Sequence, residues 1–232
     1  MAPSNGIPRP DNSTLRILAF GDSLTEGYTD FGMTFHPYGD ALRDTLQESF
    51  PNLEITVKVE GMSGDCVLPS LGGFNERLRG ATKSREPPEF DLIILLGGTN
   101  DLAYKMGAGA EGSREIFEEG LEPLYEYVLE TRSNLMVVTV PERAVDSRGS
   151  ELGRRAKGYR EELNRMITEW AKAHEQSTPK VFLFDLAPKV PYSGDDGKEP
   201  GERVWSPDGL HMSANGYDLV GRELAKLVGE IL

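Results

Sequence analysis

The sequence predicts an α/β fold, a doubly wound parallel sheet between helical layers, on two observations. Five short apolar segments alternate with helical patterns along the whole chain, the order that winds a parallel sheet with helices on its faces. Four of the five are nearly continuous in apolar character, as strands covered on both sides are. They are Arg16 to Phe20, Leu92 to Leu96, Leu135 to Val140 and Val181 to Phe184. In the fifth, Glu54 to Val59, the apolar Ile55, Val57 and Val59 alternate with Thr56 and Lys58, which predicts a half-exposed edge strand.

The helices follow from spacing. Tyr38, Ala41, Leu42, Thr45 and Leu46 repeat at three- and four-residue steps, as do Tyr159, Leu163, Met166, Ile167 and Trp170, and Leu219, Val220, Leu224, Leu227, Val228 and Ile231; each set makes one apolar helical face. A further helix is expected from about Ser113 to Glu130, with Pro123 kinking or restarting it, because proline removes a ladder donor and crowds the preceding turn. Residues 1–14 hold three prolines and small polar side chains and read as a flexible leader. Residues 15–232 read as a single domain, with no repeat or linker inside them.

Composition narrows the function classes. With 38 % hydrophobic and 27 % charged residues the chain has the makeup of a globular protein, not of a disordered one. A formal charge of −13 opposes a phosphate backbone or an anionic lipid surface, so no nucleic acid partner is expected. Apolar runs such as Leu92 to Leu96 are far short of the ~20 residues that cross a bilayer, so no stable membrane insertion is expected either. The first residues show no apolar signal core behind a basic start, which makes a cytoplasmic site the default expectation; the sequon Asn12-Ser13-Thr14 would matter only in a secreted chain. Cys66 is the only cysteine, which rules out an intramolecular disulfide and a cysteine zinc cluster.

In an open parallel sheet, ligands bind beyond the carboxyl ends of the strands, so the segments after each strand are where chemistry should collect. They are Gly21-Asp22-Ser23-Leu24 after the first, Gly61-Met62-Ser63-Gly64-Asp65 after the second, and Gly97-Gly98-Thr99-Asn100-Asp101 after the third. Past a loop after the fifth comes Asp208-Gly209-Leu210-His211. These residue types suit acyl transfer. A serine hydroxyl needs an adjacent base, and the base needs a third group to fix its tautomer. Ser23, His211 and Asp208 fit those parts, Asp208 and His211 standing three apart so that one helical turn would put both on one face. Negative charge on a carbonyl oxygen needs fixed donors, and the N–H groups of Ser23 and Gly64 with the side-chain amide of Asn100 offer three. Asp22 reads as a structural residue holding the Ser23 turn, and Asp101 as a loop or helix cap.

The set Gly21-Asp22-Ser23-Leu24, Gly64, Gly98-Thr99-Asn100-Asp101 and Asp208-Gly209-Leu210-His211 closely resembles the SGNH, or GDSL-type, serine hydrolases, from Arg16 to the last helix. The resemblance implies a flavodoxin-like three-layer α/β/α sandwich with a five-stranded parallel sheet. It implies Ser23 as nucleophile, Gly64 and Asn100 joining the Ser23 N–H as oxyanion donors, Asp208 and His211 as acid and base, and no cofactor. One departure is Met212, where many members carry proline after the histidine.

Other chemistry-bearing residues have plainer readings. His174 falls on the apolar face of its helix, which favours packing or a helix-end role. His36 precedes Pro37 near Ser23 with no acidic neighbour in sequence to orient it, and Cys66 reads as a small buried side chain. Gly107-Ala108-Gly109-Ala110-Glu111-Gly112 fits the dinucleotide pattern G-x-G-x-x-G but stands ten residues beyond the strand end it would have to follow, so a flexible loop is expected there.

The function expected is therefore a serine esterase acting on small-molecule carboxylic esters with short acyl chains, aryl esters and acetylated carbohydrates among them. Thioester or lysophospholipid hydrolysis and acyl transfer to an alcohol would use the same residues, and a binding module on the same fold would keep the pocket without the charge-transfer set. Candidate rim segments are Tyr28 to His36, Ala103 to Gly112, Glu142 to Ser150 and Tyr192 to Trp205, the last acidic and glycine-rich as a mobile lip would be.

Overall fold

The structure is a computed structural model that describes residues 7, 13–83, 88–192 and 198–232. Strand β1 (Thr14–Gly21) is followed by the one-turn helix α1 (Ser23–Glu26), a small hairpin (Tyr28–Thr29 with Thr34–Phe35) and α2 (Tyr38–Ser49). Strand β2 (Glu54–Gly61) leads to α3 (Phe74–Ala81), and β3 (Leu92–Leu96) to α4 (Thr99–Tyr104), α5 (Ala110–Glu115) and α6 (Glu122–Glu130). After β4 (Asn134–Val138) comes the long α7 (Glu151–Ala173), and after β5 (Val181–Phe184) the chain ends in α8 (Ala214–Glu230).

The five strands form one sheet in the order β2-β1-β3-β4-β5, all neighbours parallel. β2 is an edge, as its alternation requires, and strand order reverses between β1 and β3. Each side of the sheet carries its own core. Leu15, Ile17 and Ala19 of β1 point to α2 and α8, where Tyr38, Leu42, Leu46, Tyr217, Leu224 and Val228 are buried. Leu18 and Phe20 point to the opposite layer, with Phe74, Leu78, Ile116, Leu124, Leu163 and Trp170. The two-residue period of the strand splits its side chains between layers, and each large apolar side chain so buried contributes about 1.5–3 kcal/mol. This is the three-layer α/β/α sandwich expected.

Three expectations of detail are corrected. The expected strand over 135–140 is β4, which leaves the ladder after Val138, because the amide of Asn164 on α7 takes both backbone groups of Val140, at 2.8 Å each. The helix expected from Ser113 to Glu130 starts earlier, at Ala110, and its α6 segment begins at Glu122 with Pro123 in the first turn, where a restart was expected. It runs from α5 into α6 through a wider π turn at Ile116–Leu121, just ahead of the proline, which has no N–H to continue an ordinary ladder. The glycine-rich 107–112 stretch is not all loop, since residues from Ala110 enter α5.

The leader expected over 1–14 falls mostly on residues outside the described set. Ile7 is buried and donates its N–H to the Ile231 carbonyl at 2.7 Å, and β1 begins at Thr14. Among the described residues, no helix is long and apolar enough to cross a membrane.

Candidate active site

Ser23 opens α1 immediately beyond the carboxyl end of β1, beside the point where strand order reverses. The turn is made by Asp22, which caps α1: its Oδ1 accepts the Leu24 N–H at 2.9 Å and its carbonyl accepts from Thr25 and Glu26. Asp22 is fully buried. Its second oxygen, Oδ2, has no hydrogen-bond partner among the described residues. Burial pushes the carboxyl up to about 7 against the pull of the Leu24 N–H, with the charges of Asp101 and Asp65 adding to the rise. The structural reading of Asp22 thus agrees with its geometry.

The Ser23 Oγ lies 2.9 Å from His211 Nε2, and His211 Nδ1 lies 2.8 Å from Asp208 Oδ2. The carboxylate accepts, so Nδ1 carries the ring proton and Nε2 is left to receive one from the serine. The turn holding this pair is not the helical turn the spacing suggested. Asp208 Oδ1 accepts the N–H groups of Leu210 and His211, both at 2.9 Å, and Gly209 between them has φ +73°. A side chain at 209 would also collide with Ala144, whose N–H donates to the Gly209 carbonyl at 2.7 Å. Burial alone would raise the Asp208 carboxyl, but the His211 and Leu210 N–H groups and the imidazole outweigh it and hold Asp208 below the usual carboxylate range. The Tyr28 ring packs on the other side of the imidazole, centroids 4.3 Å apart.

The loop after β2 is tied to α1, the Ser63 N–H donating to Glu26 Oε2 at 2.8 Å. Gly64 is exposed with φ +80°, and an added Cβ there would meet nothing within 4 Å, so the constraint is on backbone conformation rather than space. Neither the Gly64 nor the Ser23 N–H makes a hydrogen bond among the described residues. Asn100, on α4, gives one amide hydrogen of Nδ2 to the Asp65 carbonyl at 2.8 Å, which leaves the second hydrogen free. Asp101 is not the cap it was expected to be. It is fully buried, and its carboxylate accepts the Val67 and Leu68 N–H groups at 3.0 Å each, tying α4 to the loop after β2; burial raises its pKa, opposed by those N–H groups.

The remaining candidates divide cleanly. His36 has an acidic partner after all: its Nε2 is 2.7 Å from Asp218 Oδ1 of α8, 182 residues away, a pairing that no local spacing reveals. His174 caps the end of α7, its Nδ1 bonded to the Trp170 carbonyl at 2.8 Å and its ring stacked on that indole. Cys66 is buried, and burial pushes its thiol up to about 12, which leaves no thiolate near neutral pH.

Several side chains around the site were not predicted. Asp146 is shared by two buried arginines, Arg143 and Arg160, which brace the loop carrying Ala144 against Gly209. The Arg143–Asp146 spacing is visible in sequence, but Arg160 lies on α7 and nothing local links it to them. Of the four rim segments, 28–36 carries the exposed Phe31, Met33 and Phe35. In 192–205, residues 193–197 lie outside the described set, while Trp205 is buried against the ring of Tyr192. A hollow of about 330 Å³ between the end of α7 and the start of β5 has no serine, cysteine or histidine in its lining.

The sequence profile of the GDSL-like lipase/acylhydrolase family matches residues 19–219. No curated protein is a significant match. Among solved structures, the chain is similar to a lipase/acylhydrolase from Enterococcus faecalis, at 24 % identity and TM-score 0.63 over 93 % of this chain and 96 % of that one. It is similar to the aryl esterase of M. smegmatis at 21 % and 0.66, and to a carbohydrate acetylesterase from Sinorhizobium meliloti at 19 % and 0.65; each of these two matches covers 94 % of this chain and 100 % of the other. At these identities the likeness carries the fold, the same five-stranded sandwich.

Proposed function

The chain belongs to the GDSL-like lipase/acylhydrolase family, and from that premise we propose that it is a serine esterase hydrolysing carboxylic esters of short acyl chains. The observation that carries this reading is the unbroken relay from Ser23 through His211 to Asp208, with 2.9 and 2.8 Å links. Ser23 Oγ attacks the ester carbonyl while His211 Nε2 takes its proton, and Asp208 holds the ring and stabilises the imidazolium that forms. The oxyanion is received by the N–H groups of Ser23 and Gly64 and the free hydrogen of Asn100, each such donor being worth about 10² to 10³ in rate. The imidazolium then protonates the departing alcohol, and a water activated by the same nitrogen releases the acyl group. The scheme draws only on groups of the chain itself.

The leaving alcohol must lie within reach of His211 Nε2, and Tyr28 packs against that ring. Phe35 meets the Tyr28 ring edge-on at 6.1 Å and is half exposed, and Phe31 and Met33 are more exposed still. That apolar hairpin supports an aryl or other apolar alcohol, as the name of the aryl esterase relative does, and the name of the carbohydrate acetylesterase relative supports a small acyl group. A chain-length series tests the reading. Turnover of p-nitrophenyl acetate and butyrate should exceed that of the octanoate; faster turnover of the octanoate would overturn the short-chain assignment.

A further inference from the structure

We infer that Arg77 is a positioning residue for the oxyanion site, acting through Asp65 to hold Gly64 and Asn100 in register with the nucleophile turn. The inference rests on the serine-esterase reading and adds to it a residue outside the signature motifs. Arg77 lies on α3, and its guanidinium spends three donors on three different segments. Nε donates to Asp65 Oδ2 at 2.8 Å, Nη2 to the Gly21 carbonyl at 2.9 Å and Nη1 to the Glu60 carbonyl at 3.3 Å. Gly21 ends β1 and precedes Asp22 and Ser23; Glu60 lies at the end of β2, and Asp65 follows Gly64. The face of the guanidinium is packed over Phe20 and Phe74, with centroids at 4.6 and 5.3 Å.

Asp65 is the other half of the clamp. Its side chain is 4 % exposed, its Oδ1 accepts the Cys66 and Gly73 N–H groups at 3.0 and 2.8 Å, and its carbonyl is the acceptor that fixes Asn100. One residue thus joins the backbone donor at 64 to the side-chain donor at 100, and Arg77 ties that residue to the end of the strand that leads into Ser23. A lysine cannot replace the fork, since an ammonium on a flexible stem does not hold three acceptors in one plane. Fixed donors stabilise the oxyanion because they need no rearrangement as charge develops, so loosening the clamp should raise the barrier while leaving ground-state binding nearly unchanged.

A double-mutant cycle between Arg77 and Asn100 tests this, with kcat and KM measured on p-nitrophenyl acetate. Arg77→Met should lower kcat by about 10- to 100-fold with KM within about threefold of wild type. Arg77→Lys should fall with Arg77→Met and not with the wild type. In the Asn100→Ala background, Arg77→Met should cost several-fold less than it does in the wild type, because one of the two donors it serves is already gone. Wild-type kcat in Arg77→Met, or losses that multiply fully in the double variant, would overturn the inference and assign Arg77 to the fold alone. Should Arg77→Met fail to fold, Asp65→Asn, which keeps shape and backbone carbonyl, takes its place in the cycle with the same expectations. Ser23→Ala serves as the separate control. Activity surviving in that variant would sink the esterase mechanism, whereas multiplicative losses with Ser23→Ala inactive would sink only the role of Arg77.

Discussion

The two sides of Ser23 are built in opposite ways. On one side the base and its orienting acid come from a single four-residue turn, Asp208 to His211, which folds on itself through the two N–H groups that Asp208 accepts. On the other side the donors come from separate segments, Gly64 after β2 and Asn100 after β3, held by Asp65, Arg77 and Asp101. The base side depends on local geometry and remains partly open to solvent, whereas the donor side depends on buried carboxylates, each satisfied by donors from elsewhere in the chain. Proton transfer needs one imidazole aimed at Oγ, and oxyanion stabilisation needs several dipoles that do not move.

Substitutions can break this contrast at either end. The largest effect belongs to the base. His211→Ala should lower kcat by about 10⁴-fold or more, a loss on the scale of removing a triad member, measured by p-nitrophenyl acetate hydrolysis with the fold checked by circular dichroism. A loss of less than about tenfold would remove His211 from the mechanism. Asn100→Ala should cost about 10² to 10³ in kcat, the share of one donor; a loss below about threefold would take Asn100 out of the donor set.

The smallest effect is on stability and concerns the turn of Ser23 itself, between the two sides. Asp22 holds its proton in the folded state up to about pH 7, well above the ordinary carboxyl value of 3.8, so the folded state binds more protons than the unfolded one between those values. Stability therefore falls as pH rises through that window. Asp22→Asn removes this slope. Measured by urea unfolding, the stability of the variant relative to wild type should improve by about 3 kcal/mol between pH 5 and pH 8. A gap that does not change with pH would show that Asp22 is ionised in the folded state throughout.

The same contrast explains what could be read from the sequence. The sheet was legible because both-faces-covered strands leave continuous apolar runs, and the edge strand because Thr56 and Lys58 interrupt one. Asp208 and His211 were legible because three-residue spacing is a local property, even though the turn that joins them is not helical. Arg77 was not, because a basic residue on an amphipathic helix looks like any solvated charge until the fold brings Gly21, Glu60 and Asp65 to it. His36 was opaque for the same reason, its partner Asp218 lying in the last helix. The part Asp101 plays was hidden because the N–H groups its carboxylate accepts, those of Val67 and Leu68, belong to another crossover.

The most direct test of the central claim, that Ser23 is an activated nucleophile, is labelling with a fluorophosphonate probe. Wild type and Ser23→Ala would be treated side by side and the modified peptide identified by mass. The relay from Ser23 to Asp208 predicts phosphonylation at Ser23, and none in the variant. Absence of labelling in folded wild-type protein, or labelling that persists in Ser23→Ala, would contradict it.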